Sequence, residues 1–264
     1  MFLSRRLPLV LSFALCVSTM GLAGAQSSIQ TGAPAVQNKE LAGLLRDYRE
    51  DELKHSPELA SSLGDRRYND QLSDLSPREA NAKLERGRNF LVRLAGIDPA
   101  TLNPQDKAAA DKLQQALIAE QSAGARKSWQ MPIDPETGVQ VRLAELPSHI
   151  PLETAKDYDD YIARLKKIPD ELRQAVTNLQ LSSDEGHGIE ATLVEKVLAQ
   201  VNAVAAQKPE ASVFAAPLKR FPASFPPAQK SRISEETLAA IQDDVLPAYA
   251  RLGRFLSAQL APAK

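Results

Sequence analysis

The chain has 264 residues, with 32 Lys and Arg against 33 Asp and Glu, and aromatic residues make up only 5%. That near balance gives nucleic acid and anionic lipid no electrostatic basis as partners. The single cysteine, Cys16, excludes an internal disulfide, so packing has to hold the fold together.

In chain order, Arg5 and Arg6 precede an apolar run from Leu7 to Leu22, and Ala23-Gly24-Ala25 has the small-x-small form of a signal-peptidase site. Residues 1–25 are expected to be a signal peptide cleaved after Ala25, leaving an exported protein, periplasmic or secreted, with no stable membrane insertion. The run falls short of the roughly 20 apolar residues that a spanning helix needs. Phe13-Ala14-Leu15 before Cys16 also lacks the small residues of a lipobox. Cleavage removes the cysteine and leaves 30 basic and 33 acidic residues, a formal charge of −3. Residues 26–38 are polar and aperiodic and read as a flexible mature N-terminus.

From Lys39 the pattern is helical, with Leu41, Leu44, Leu45, Tyr48 and Leu53 on one stripe. Pro57 stops this helix near His55 and opens the next, with Ser56 as N-cap, Glu58 in the first turn and Gly64 as a left-handed stop. Ser76-Pro77-Arg78-Glu79 offers a capping box for a helix through Ala80, Leu84, Leu91 and Leu94, ended by Gly96. Asn103-Pro104 starts another, with Leu113, Leu117 and Ile118 on one face. Residues 128–153 hold four prolines, the only tryptophan, and strand-like Val139 and Val141, and read as a long ordered loop with one turn of helix. Thr154 caps a helix bearing Tyr158, Tyr161, Ile162 and Leu165, and Pro169 opens the next, through Leu172, Val176 and Leu179. Gly186-His187-Gly188 is a break before Leu193, Val197, Val201 and Val204. Residues 214–227 form a second proline-rich connector, and a last helix runs from about Ala228 to Leu260, kinked or divided at Pro247. The fold class is therefore all-α: a multi-helix array of about eight helices with two proline-rich ordered loops, occupying residues 39–264.

Motifs for chemistry are sparse. His55, His149 and His187 are not spaced as zinc ligands, and no Gly-x-Ser-x-Gly elbow, phosphate loop or dinucleotide turn occurs. The acidic pairs Asp159-Asp160, Glu235-Glu236 and Asp243-Asp244 sit at helical spacing among charged neighbours and read as solvated faces. Asp157, near a helix start, suits the macrodipole. Two clusters join arginine to an aromatic ring: Arg66, Arg67 and Tyr68 after Asp65, and Lys219, Arg220 and Phe221 between prolines. Each can grip a carboxylate or phosphate beside a stacking ring, or lock a corner by a salt bridge and a buried ring. With His149, these six are the candidate interaction residues.

Five stretches in order carry a resemblance: HSPELASSLGDRRYNDQLSDLSP at 55–77, IDPATLNPQDK at 97–107, TAKDYDDYIARLKKIP at 154–169, FAAPLKRFPASFPPAQ at 214–229 and VLPAYARLGRFLSAQLAPA at 245–263. The chain resembles the N-terminal part of the bacterial domain-of-unknown-function family 885, exported proteins of zincin-like metallopeptidase character. The resemblance implies zinc only for the complete family protein, in a C-terminal half carrying a histidine-glutamate motif with no counterpart in this sequence. No catalytic or metal residue carries over. The expectation is a truncated, catalytically inert helical domain of a hydrolase-like family, with a separately encoded C-terminal half as its partner. The alternative is a stand-alone exported helical protein that binds a peptide or small molecule with segment 128–153 or with Lys219 to Phe221. A third, weaker reading is an enzyme working with carboxylates alone.

Overall fold

The computed structural model describes residues 36–260, and among them there are helices and turns but no strand. The expected signal peptide, with its cleavage after Ala25, lies outside the described residues. Among the described residues nine α-helices follow one another: α1 (Lys39–His55), α2 (Pro57–Ser62), α3 (Pro77–Ala95), α4 (Pro104–Ala125), α5 (Val139–His149), α6 (Ala155–Asp184), α7 (Ala191–Ala205), α8 (Pro227–Ala240) and α9 (Leu246–Gln259).

The first layer is built by α1, α3 and α4, which bury Leu41, Leu44, Phe90, Leu113 and Leu117 against one another. Their starts follow side-chain capping. Asn38 accepts from the Leu41 amide, Ser76 from that of Glu79, and Asn103 from those of Gln105 and Asp106. Asp106 also ties down the chain ahead of α1. It is only 1% exposed, and its carboxylate accepts from the amides of Gln37 and Asn38, both at 2.9 Å. The end of the polar segment 26–38 is thereby fastened to α4.

The second layer is larger. Its core joins Leu143 and Leu146 of α5, Tyr158, Leu165, Ile168 and Leu172 of α6, Val197 and Val201 of α7, and Tyr249, Leu252 and Leu256 of α9. The 30-residue α6 is the axis of this layer, and Thr154 and Asp157 close a reciprocal capping box at its start. Asp157 thus serves as a hydrogen-bonded cap in addition to any effect on the macrodipole. Tyr161 and Tyr249 are buried whole, and each hydroxyl donates to a carbonyl at 2.8 Å, of Phe214 and Gln140 respectively. Burial pushes both phenols well above their ordinary value.

Several elements differ from the sequence expectation, each for a packing reason. Residues 139–149 are a helix, not a loop, because Val139, Leu143 and Leu146 lie on one stripe that the core covers. Tertiary contact there outweighs the strand preference of Val139 and Val141. Pro169 lies inside α6 instead of opening a new helix. Leu165, Ile168 and Leu172, buried on either side of it, offset the roughly 3 kcal/mol a mid-helix proline costs. Pro247 does divide the last helix, through a π-helical turn at Ile241–Val245 that ends just before it. Ser56 makes no side-chain cap bond, and Glu79 reaches Arg86 instead of completing a capping box. Gly64 is left-handed at φ 82°, as the stop after α2 requires, whereas Gly96 ends α3 with ordinary φ of −76°. Ile118 faces outward, half exposed, away from Leu113 and Leu117.

Gly138, the N-cap of α5, sits over the turn that Asp134 forms by accepting from the amides of Glu136 and Thr137. A Cβ at 138 would fall 2.2 Å from the Asp134 amide nitrogen and 2.5 Å from its carbonyl oxygen, and backbone atoms cannot swing aside. Gly138→Ala is expected to lower stability by about 2–4 kcal/mol in a urea melt. An unchanged midpoint would show that the backbone at Asp134 does not close on residue 138.

Candidate functional site

The two layers meet along a cleft of about 400 Å³. From α1 come Tyr48, which continues the stripe of Leu41 and Leu44, and Asp51, Glu52 and His55 in the following turns. From α3 come Glu79, Lys83 and Arg86, and from α4 Glu120. The segment before α5 adds Trp129, Pro132 and Thr137, and the opposite wall is Arg142 of α5 and Asn178 of α6. A second cleft of about 260 Å³ lies between α2 and α5, lined by Glu58, Glu145, His149 and Arg164. Arg142 is common to both.

The ion pairs in the main cleft are uneven. Arg86 serves two carboxylates at once, Asp51 at 3.1 Å and Glu79 at 2.5 Å. Burial works against its charge, and those two carboxylates more than offset it, so its pKa is raised. Lys83 stands 3.4 Å from Glu120. The Tyr48 phenol is pushed up by burial and then by the carboxylates of Glu52, Glu120 and Asp51. His55 has its Nδ1 2.8 Å from the Asp51 carbonyl.

The far wall holds polar atoms with spare capacity. Arg142 pairs with Glu171 of α6, whose side chain is only 2% exposed. Burial raises the Glu171 carboxyl to about 8, with Arg142 opposing. One Glu171 oxygen, Oε2, and the Arg142 Nε are both buried without a hydrogen-bond partner. Asn178 donates through Nδ2 to the Leu75 carbonyl at 2.7 Å, and its Oδ1 is buried with no partner. Buried polar atoms are rarely left so, which sets this wall apart from the paired residues across the cleft.

The sequence candidates lie elsewhere. Arg66 pairs with Glu153 and Asp157, and Arg67 with Asp65 and Glu50, its guanidinium 5.3 Å from the centre of the Tyr68 ring. These three residues line neither cleft, and they join the corner after α2 to α1 and to the start of α6. The buried anchor of that corner is Arg164, which sequence reasoning missed. It donates to the Gln71 carbonyl at 2.6 Å, Ser61 Oγ at 2.7 Å, the Pro57 carbonyl at 2.9 Å and the Tyr68 carbonyl at 3.0 Å. Arg220 donates to the Pro147 carbonyl at 2.9 Å, and Phe221 stacks against Tyr158 at 5.0 Å. Lys219 is exposed. His149 alone among the candidates lines a cleft, the second one. The main-cleft residues Asp51, Glu52, Arg142 and Asn178 carry no motif, and Glu79 was legible only as a capping residue. The one signal in the sequence was Trp129, a lone tryptophan in a proline-rich stretch.

Zinc, which the resemblance implies for complete proteins, does not fit the donor set here. Among the described residues no three histidine, cysteine, aspartate or glutamate side chains are grouped to hold a metal ion. The three histidines sit on the main cleft, the second cleft and the turn after α6. No helix among the described residues is long and apolar enough to cross a membrane.

Fold and cleft together define a two-layer all-α protein with a polar groove between the layers. Residues 57–264 match the model of the family described as bacterial protein of unknown function (DUF885), and the chain belongs to that family. Its fold is similar to the crystal structure of a chain described as a lipoprotein from Colwellia psychrerythraea, with a TM-score of 0.72 at 14% sequence identity. The similarity covers 86% of this chain and 42% of that one, so this chain spans less than half the length of that protein. No curated protein matches the chain.

Proposed function

We propose that the interlayer cleft binds a peptide or small polar ligand, in an exported protein, periplasmic or secreted, of hydrolase-like family character. The observation that carries this is the far wall: Asn178 Oδ1 and Arg142 Nε, one acceptor and one donor, are held without partners beside a roomy groove. Ligand sites combine a preformed concavity with a few convergent polar groups in this way. The peptidase character of the resembled family favours a peptide. On that reading these helices supply a binding wall and are inert alone, while zinc chemistry belongs to a C-terminal half acting as partner. The alternative, a stand-alone exported binding protein, uses the same cleft without that partner.

Trp129 is the chain's single tryptophan and lines the cleft, so its fluorescence reports occupancy directly. Titration of the mature chain with short peptides is expected to shift or quench Trp129 emission without any cleavage of the peptide. Turnover by the chain alone would overturn the inert-wall reading. Turnover that needs both zinc and an added C-terminal half would favour it over the stand-alone alternative.

A further inference from the structure

The chemistry of the cleft narrows what it accepts. Five carboxylates line it, from Asp51, Glu52, Asp74, Glu79 and Glu120, against three cations, Lys83, Arg86 and Arg142. The cations are already engaged. Arg86 is divided between Asp51 and Glu79, Lys83 is matched to Glu120, and Arg142 is turned to Glu171 behind the wall. Glu52, half-buried on α1, has no ion pair among the described residues. The surplus charge offered to a ligand is therefore negative, in keeping with the upward push that Glu52, Glu120 and Asp51 exert on the Tyr48 phenol. Tyr48, Phe90 and Trp129 add ring faces, which attract cations.

The independent pointer is Asn178. Its residue is 1% exposed, its amide nitrogen is committed to the Leu75 carbonyl, and that bond fixes which end of the amide remains. The end that remains, Oδ1, is a buried acceptor with nothing donating to it, on a residue that lines the cleft. An acceptor there calls for an N–H or ammonium donor from whatever occupies the groove.

We infer that the cleft selects a cationic, amine-bearing ligand, its positive group held by Glu52 and the aromatic faces and an N–H donated to Asn178 Oδ1. This rests on the cleft-binding reading above and adds the sign of the ligand's charge. Two sources share that chemistry, a peptide with lysine, arginine or a free amino terminus, and a free polyamine. A peptide satisfies both features with one backbone, because its amides supply the donor for Asn178.

The test is Trp129 fluorescence of the mature chain, titrated with three capped peptides of equal length carrying lysine, glutamine or glutamate, and with spermidine. The lysine peptide is expected to bind best and to weaken as salt is raised. Glu52→Gln leaves the core untouched and is expected to weaken the lysine peptide about fivefold, with no effect on the glutamine peptide. Spermidine binding as tightly as the lysine peptide assigns the site to free amines, and weaker binding assigns it to peptides; either supports a cation site. If the glutamine or glutamate peptide binds as well as the lysine peptide, the charge selection is overturned and the cleft reading stands. If none of the four moves Trp129 emission, the cleft reading itself falls.

Discussion

Replacing Arg164 with methionine is expected to destabilise the protein by about 3 kcal/mol and to lower its melting temperature by roughly 6–12 °C. Arg164 is 1% exposed and projects from the middle of α6 into the corner formed by residues 57–71. Burial lowers its pKa, with the carboxylates of Glu58, Asp70, Asp160 and Glu171 opposing, so it stays a cation. Its four hydrogen bonds are charge-assisted, which makes each stronger than a neutral one. Methionine fills much of the volume but leaves the Gln71 carbonyl without its donor and takes one donor each from Pro57 and Tyr68. Lysine is a poor substitute, since a single ammonium cannot span the fork that a guanidinium makes. The loss should be local first. Hydrogen exchange at amides 63–75 is expected to accelerate well before the α7–α9 core opens. Ser73, Asp74 and Leu75 of that stretch line the main cleft, so ligand affinity should fall in the same variant. A variant with unchanged melting and unchanged protection at 63–75 would mean that α6 does not hold the corner through Arg164.

Glu171→Gln is expected to do the opposite at alkaline pH. Burial holds the folded-state carboxyl near 8, against an ordinary value of 4.5. Between those two values the folded protein keeps a proton that the unfolded chain has released. Stability from this group is therefore full below about 4.5 and is lost as pH rises towards 8. Arg142 offsets part of the cost, but its side chain is 36% exposed and shares its charge with solvent. Glutamine keeps the shape and an acceptor for Arg142 while removing the buried charge. From pH 5 to pH 8 the stability of the variant relative to the parent should grow by on the order of 3 kcal/mol. Urea denaturation of both proteins across that range measures it, and parallel curves would show that Glu171 titrates normally.

The two variants separate what local pattern conveys from what packing creates. Helix positions were legible because apolar stripes and caps are local. Leu41, Leu44 and Tyr48 announce α1, and Thr154 with Asp157 announces α6. The corner Ser56 to Asp70 was also legible as a corner, with Pro57 and Gly64 as its punctuation. Where local and tertiary forces compete, the sequence misled. Val139 and Val141 favour strand and Pro169 favours a break, yet burial on the second core makes one a helix and carries the other through.

The cleft was hidden for a different reason. Glu52, Glu79, Arg86, Arg142 and Asn178 come from four helices spread over 127 positions of sequence, and each sits on its helix as an ordinary polar residue. Composition and periodicity by themselves determined the all-α class of the protein, most of its helices apart from α5 and the unbroken run of α6, and the absence of familiar nucleophile or nucleotide motifs. The tertiary structure alone decided that Arg164 is an anchor, that Glu171 is buried beside Arg142, and that Asn178 keeps an unspent carbonyl at the edge of a groove. Burial and partnership are properties of neighbours in space, and no spacing along the chain encodes them.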